Sequence, residues 1–186
     1  MAEAALAGGA TALQLRAPEL TDARLEALAG ELVERCRATG ALFVVNDRVA
    51  VAASVGAGAH VGQADGPGSA REILGPTAVL GVSVSTSDEA RAAEVAGADY
   101  LGVTVWATTT KPEAEPQGLD GLRSIARETA LPVVGIGGVQ AVNAADVLDA
   151  GAVGICVVSA VGAAPDPVRA TEALVDAVHR WEEGDR

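Results

Sequence analysis

The chain has 186 residues, 49% of them hydrophobic and 20% charged, which is the size and make-up of one soluble globular domain. No apolar run is long enough to cross a bilayer. A formal net charge of −12 argues against a nucleic-acid partner, whose phosphates need Lys and Arg, but does not exclude a small anion held by a local site.

Residues 1–10 lack a basic leader region, so a cytoplasmic protein is expected. Residues 1–7 read as the end of a helix. Gly9-Ala10 then opens the first strand-like run, TALQLR. Thr21 and Asp22 mark the start of a helical pattern over 22–39. Gly40-Ala41 opens LFVVND, Gly58-Ala59 opens HVGQ, and AVLGVS begins at Ala78. A helix is expected over 87–96, started by the residues from Thr86 to Asp88. Gly97-Ala98 opens DYLGV, and a helix follows over 119–129. LPVVGIGG begins at Leu131, with a helix over 141–150. Gly151-Ala152 opens VGICVVS, and a last helix covers 167–181 after Pro165 to Pro167. The tail, 182–186, is polar. The recurring Gly-Ala pair has a physical reason: glycine takes the left-handed conformation that stops a helix, and a small residue starts the next strand.

Apolar strands alternating with helices specify a parallel sheet covered by helices, and the short repeat favours a barrel. The expectation is an α/β TIM (β/α)8-type barrel lacking the first strand, with residues 1–186 forming a single phosphate-binding domain. Seven strands are counted where a closed barrel has eight. Cys36 and Cys156 fall within helical and strand patterns and read as buried thiols.

In such barrels the working groups stand at the strand C-termini. Asn46-Asp47 ends the second strand and Asp65 follows the third, so two carboxylates at one rim suit Mg²⁺, although either Asp could instead cap a helix or form a turn. Gln14 and Arg16 share one face at the end of the first strand, and the planar Arg fork matches a diphosphate or a neighbouring acid. Thr108, Thr109 and Thr110 precede Lys111, the sole lysine, in a loop whose hydroxyls and ammonium suit phosphate. Gly137-Gly138 ends the run LPVVGIG, and Val158-Ser159 ends the last, VGICVV; glycine amides and a helix start there suit a phosphate. His60 reads as a packed imidazole, His179 lies far from the mouth, and Trp106 could cover a ligand or pack. GIGG lacks the spacing of a dinucleotide fingerprint.

The ordered motifs VNDR at Val45, GAHVGQAD at Gly58, GVSVST at Gly81, ADYLGV at Ala98, TTTKP at Thr108, VGIGGV at Val134 and VVSAV at Val157 resemble those of the thiamine-phosphate synthases over nearly the whole chain. The resemblance implies a transferase of thiamine biosynthesis that joins hydroxymethylpyrimidine diphosphate to thiazole phosphate. Diphosphate leaves, and the thiazole nitrogen attacks the pyrimidine methyl carbon. It implies Asp47 and Asp65 as Mg²⁺ ligands. Gln14, Arg16, Asn46 and Lys111 would hold the diphosphate and Ser83 would contact the pyrimidine. Lys111, Arg16 and Ser83 form the catalytic set. Thr108 and Thr110, with the backbone of Gly138, Val158 and Ser159, would hold the thiazole phosphate.

Two departures stand out. The family's QxRxK pattern has Pro18 in place of its lysine, and Thr104 stands where a Gly-Pro precedes the Thr-rich loop. With the missing strand, they keep a non-catalytic phosphate-binding homologue open as an alternative. A thiazole tautomerase is a second alternative, but Ser85 occupies the position expected to carry its histidine. The expected partners are the two phosphorylated substrates, without nucleic acid or membrane; a homo-oligomer is compatible with the sequence.

Overall fold

The computed structural model describes residues 1–107 and 114–184. Seven strands form one parallel sheet in simple chain order. They are β1 (Ala12–Leu15), β2 (Leu42–Asn46), β3 (Gly58–Val61), β4 (Leu80–Ser83), β5 (Tyr100–Thr104), β6 (Val133–Ile136) and β7 (Gly154–Cys156). Helix α1 (Ala2–Ala7) precedes β1, and α2 (Asp22–Thr39) follows it. The expected seven-stranded barrel lacking one strand is therefore the observed architecture. β1 and β7 are the sheet edges. Across that gap the helical layer continues, because α1 packs against the last helix, α9 (Pro167–Glu182). Ala5, Val161 and Leu174 form a small apolar cluster there.

Local signals explain most boundaries. Gly40, at φ 73°, ends α2 in the left-handed conformation, and its amide donates to the Arg37 carbonyl. Thr86 caps α5 (Ser87–Val95) by accepting from the Glu89 amide at 3.1 Å. Asp166 caps α9 in the same way, with Pro167 at its first position. The helix expected over 119–129 is α6 (Gly118–Arg127). The one expected over 141–150 shortens to α7 (Ala144–Asp149), because Asn143 turns its side chain back onto the preceding loop.

Three helices carry no clear sequence signal. α3 (Val49–Ser54) is apolar on most sides, so it has no polar face to mark a period. α4 (Pro67–Leu74) opens on Gly66-Pro67-Gly68, which reads as a loop, yet Pro67 occupies the first helical position where its missing N–H costs nothing. α8 (Ser159–Gly162) is a single turn.

The two faces of the sheet differ sharply. Val45, Val61, Leu80, Val82, Leu101, Val103 and Val133 point to the helices and are essentially fully buried. They meet Leu25, Leu122, Ile125 and Val147 from the helical layer. Each such side chain contributes on the order of 1.5–3 kcal/mol by leaving water. The inward face instead sets Val44, Val134, Ile136 and the His60 and Tyr100 rings among the glycines Gly58, Gly81, Gly102 and Gly154. At the N-terminal end of the barrel, Arg71 ties two connections together. It donates to the carbonyls of Gly75, Ala78 and Gly97, and pairs with Asp99 at 2.6 Å. No helix among the described residues is long and apolar enough to cross a membrane.

Candidate active site at the strand C-termini

Gln14 lies in β1 with its side chain on the inward face, which is exposed because the neighbouring strand position is open. Arg16 follows directly. It shares a cleft of about 50 Å³ with Pro18, Asn46, Asp47 and Arg48. Arg48 forms an ion pair with Asp22 and donates to the carbonyls of Pro18 and Leu20, both at 3.4 Å. It thus holds the β1–α2 connection over the cleft, a role the sequence reading did not assign.

Asp47 adopts φ 60°, unlike every other non-glycine residue among those described. A side chain in the left-handed region costs on the order of 1–3 kcal/mol, and such strain gathers at functional sites. Its amide donates to the His60 carbonyl at 2.9 Å, which fastens the end of β2 to β3. Asp65 closes a 3₁₀ turn, Gln63–Asp65, directly beyond β3. Its Oδ2 accepts from the Gly62 amide at 2.8 Å, while Gln63 reaches sideways to donate to the Ser83 carbonyl at 2.9 Å. Asp47 and Asp65 therefore follow neighbouring strands at one rim, and both are exposed. No three His, Cys, Asp or Glu side chains gather into a metal cage among the described residues. Two exposed carboxylates at one rim fit Mg²⁺, which keeps waters and takes further oxygens from a phosphate.

Ser83 ends β4, and its hydroxyl lies 2.9 Å from Nε2 of His60. Nδ1 of the same ring lies 2.9 Å from the Tyr100 hydroxyl. The His60 and Tyr100 rings are tilted at 42° with centroids 5.4 Å apart. His60 is thus packed, as expected, but it is also wired to a rim hydroxyl. Burial, and secondarily Cys156, pushes the Tyr100 phenol well above its usual pKa, so it keeps its proton. Burial likewise raises Cys36 and Cys156, and both are free thiols, which removes either as an activated nucleophile.

On the far side, Gly137 and Gly138 have φ 91° and 66°. A side chain on Gly137 would overlap the Trp106 carbonyl, whose own amide donates to the Gly137 carbonyl at 3.3 Å. The glycine pair thus lets two loops touch, and Trp106 packs against the core. Asn143 braces the turn, accepting from the Gln140 amide and donating to the Gly138 carbonyl. Val158 precedes α8 and Ser159 is its first residue. A concavity of about 400 Å³ lies beside them, lined by Gln140, Ser159, Ala160 and Leu174. Of Gly138, Val158 and Ser159, it is Ser159 that lines it. Thr108, Thr109, Thr110 and Lys111 lie outside the described residues.

A parallel barrel with its polar residues gathered at the C-terminal rim is the architecture of a (β/α)-barrel enzyme. The profile of the family described as "Thiamine monophosphate synthase" matches residues 1–161. A thiamine-phosphate synthase from Moorella thermoacetica is 51% identical over 180 residues, 95% of this chain and 86% of that protein. One from Roseiflexus castenholzii is 49% identical over 177 residues, 93% of this chain and 78% of that protein. A solved thiamine phosphate pyrophosphorylase from Pyrococcus furiosus superposes with a TM-score of 0.91 at 41% identity, covering 97% of this chain and 88% of that one. The chain belongs to the thiamine monophosphate synthase family.

Proposed function

We propose that the protein joins a hydroxymethylpyrimidine diphosphate to a thiazole phosphate, giving thiamine phosphate and diphosphate. The observation that carries this reading is the cleft shared by Arg16, Asn46 and Asp47, with Asp65 in the turn beyond the next strand, in a chain half identical to named synthases. Asp47 and Asp65 would hold Mg²⁺. When bound, the ion supplies positive charge against the leaving diphosphate. Arg16 contributes a guanidinium to the same charge, Asn46 and Gln14 donate amide hydrogens, and Lys111 adds an ammonium. Ser83 orients the pyrimidine ring. The carbon–oxygen bond to the diphosphate breaks, and the thiazole nitrogen supplies the electron pair for the new carbon–nitrogen bond. Thr108, Thr109 and Thr110, with the amides near Gly138, Val158 and Ser159, would hold the thiazole phosphate so that this nitrogen faces the carbon. A cytoplasmic setting is part of the reading, supported by the two unbridged thiols.

Purified protein supplied with Mg²⁺ and both substrates is expected to release diphosphate and form thiamine phosphate. Phosphate ligands that raise the melting temperature without any diphosphate release would instead establish a non-catalytic homologue. Tautomerase chemistry has less support: Ser85 occupies the expected histidine position, and its amide donates to Glu89 in the turn that starts α5.

Pro18 lines the cleft where the family pattern carries a lysine. Pro18→Lys is expected to raise kcat/KM for the pyrimidine diphosphate by about tenfold, through one added charge-assisted contact. Steady-state kinetics at fixed thiazole phosphate measure it. An unchanged value would mean that the other cations already saturate the diphosphate.

A further inference from the structure

Inside the barrel, one rung of the sheet runs from His60 through Gly81 to Tyr100. The glycines make space for the two rings. A methyl on Gly81 would overlap both Tyr100 Cζ and His60 Nδ1, and one on Gly102 would stand 3.0 Å from His60 Cε1. His60 is only 9% exposed, and a hydroxyl lies 2.9 Å from each of its ring nitrogens.

A neutral imidazole donates from one nitrogen and accepts at the other. The series Tyr100–His60–Ser83 therefore has a direction. In one sense, the Tyr100 hydroxyl donates to Nδ1 and Nε2–H donates to Ser83 Oγ. The Ser83 hydrogen is then left to point at the rim. In the other sense, Nδ1–H donates to Tyr100, Ser83 donates to Nε2, and only lone pairs of Ser83 face a ligand. A phenol is a better donor and a poorer acceptor than an imidazole, which favours the first sense. The Ser83 carbonyl is already engaged by Gln63, so the hydroxyl is the group that this residue has left to offer the rim.

We propose that Tyr100, acting through His60, fixes Ser83 as a hydrogen-bond donor at the rim, where it reads an acceptor nitrogen of the heteroaromatic substrate. This rests on the reading above for the identity of that substrate, the pyrimidine diphosphate. Tyr100 and His60 are positioning residues, because neither needs to touch the ligand.

Two measurements on the full chain test the proposal. The first is a long-range ¹H–¹⁵N spectrum of the histidines. The only other histidine, His179, is exposed on α9 and can be assigned by a His179→Gln variant. A His60 ring protonated at Nε2 alone is expected, with that preference lost in Tyr100→Phe. A ring protonated at Nδ1 alone, or at both nitrogens, overturns the proposal. The second is a double-mutant cycle. Tyr100→Phe keeps the ring and is expected to raise KM for the pyrimidine diphosphate about tenfold, the scale of one lost hydrogen bond, with KM for thiazole phosphate unchanged. The effect should vanish in the Ser83→Ala background. An equal effect in both backgrounds overturns the proposal. A native protein that makes no thiamine phosphate would fail the functional reading instead, and the spectrum would then decide the direction of the hydrogen bonds by itself.

Discussion

Asp65→Ala is expected to lower Mg²⁺-dependent formation of thiamine phosphate by about 10³-fold or more, the scale of one lost electrostatic contact to a leaving group. The fold should survive. Asp65 is exposed, and its carboxylate accepts from the Gly62 amide, a loss of about 1 kcal/mol. Asp65→Asn refines the test. Its amide oxygen keeps the acceptor for Gly62 and the side-chain shape, while the negative charge is gone. Both variants should release little diphosphate at any Mg²⁺ concentration, with circular dichroism and melting temperature close to native. Full turnover in Asp65→Asn with an unaltered Mg²⁺ requirement would remove this residue from the metal site. Asp47 is the less clean target, since its φ of 60° means that a substitution changes local strain as well as charge.

The second large effect is structural. Gly81→Ala should destabilise the protein by about 2–4 kcal/mol, since overpacking in a filled interior forces side chains and backbone to move. Its new methyl meets two rings at once, and neither can swing aside freely: Tyr100 is held by His60, and His60 by Ser83 and Tyr100. Urea denaturation measures the loss, and the same variant should bind the pyrimidine substrate poorly because Ser83 is displaced. Gly30 in α2 serves as the control. Nothing lies within 4 Å of a methyl there, so Gly30→Ala should stabilise by about 0.5–1 kcal/mol through helix propensity. Equal stability of Gly81→Ala and native protein would mean that the two rings have room to separate.

Much of this was legible in the sequence because the signals are local. The Gly-Ala pairs mark where a helix stops and a strand starts, and all seven strands follow from them and from their apolar runs. The rim residues were legible for the same reason: a strand end is a point in the sequence, and parallel strands bring all such points to one face. The short helices α3, α4 and α8 were not, since a six-residue apolar helix shows no period and a Gly-Pro-Gly start looks like a loop. The Tyr100–His60–Ser83 series was hidden for a deeper reason. His60 and Tyr100 are 40 residues apart, and only the stagger of β3, β4 and β5 sets them on one rung with a glycine between. Arg48 was overlooked because its partners, two carbonyls of the β1–α2 connection and Asp22 at the start of α2, lie more than twenty residues earlier.

The unequal faces of the sheet divide the molecule into two compartments that can vary separately. Cohesion comes largely from branched side chains outside the sheet, where they meet the helices, whereas the middle of the lumen holds two rings set beside glycines. Exchanging a ring for a different shape therefore alters what the mouth recognises without disturbing the layer that keeps the chain folded. A scaffold arranged in this way can acquire new ligand preferences through one or two ring substitutions in the lumen, so long as the new shape does not overfill the space that the glycines leave.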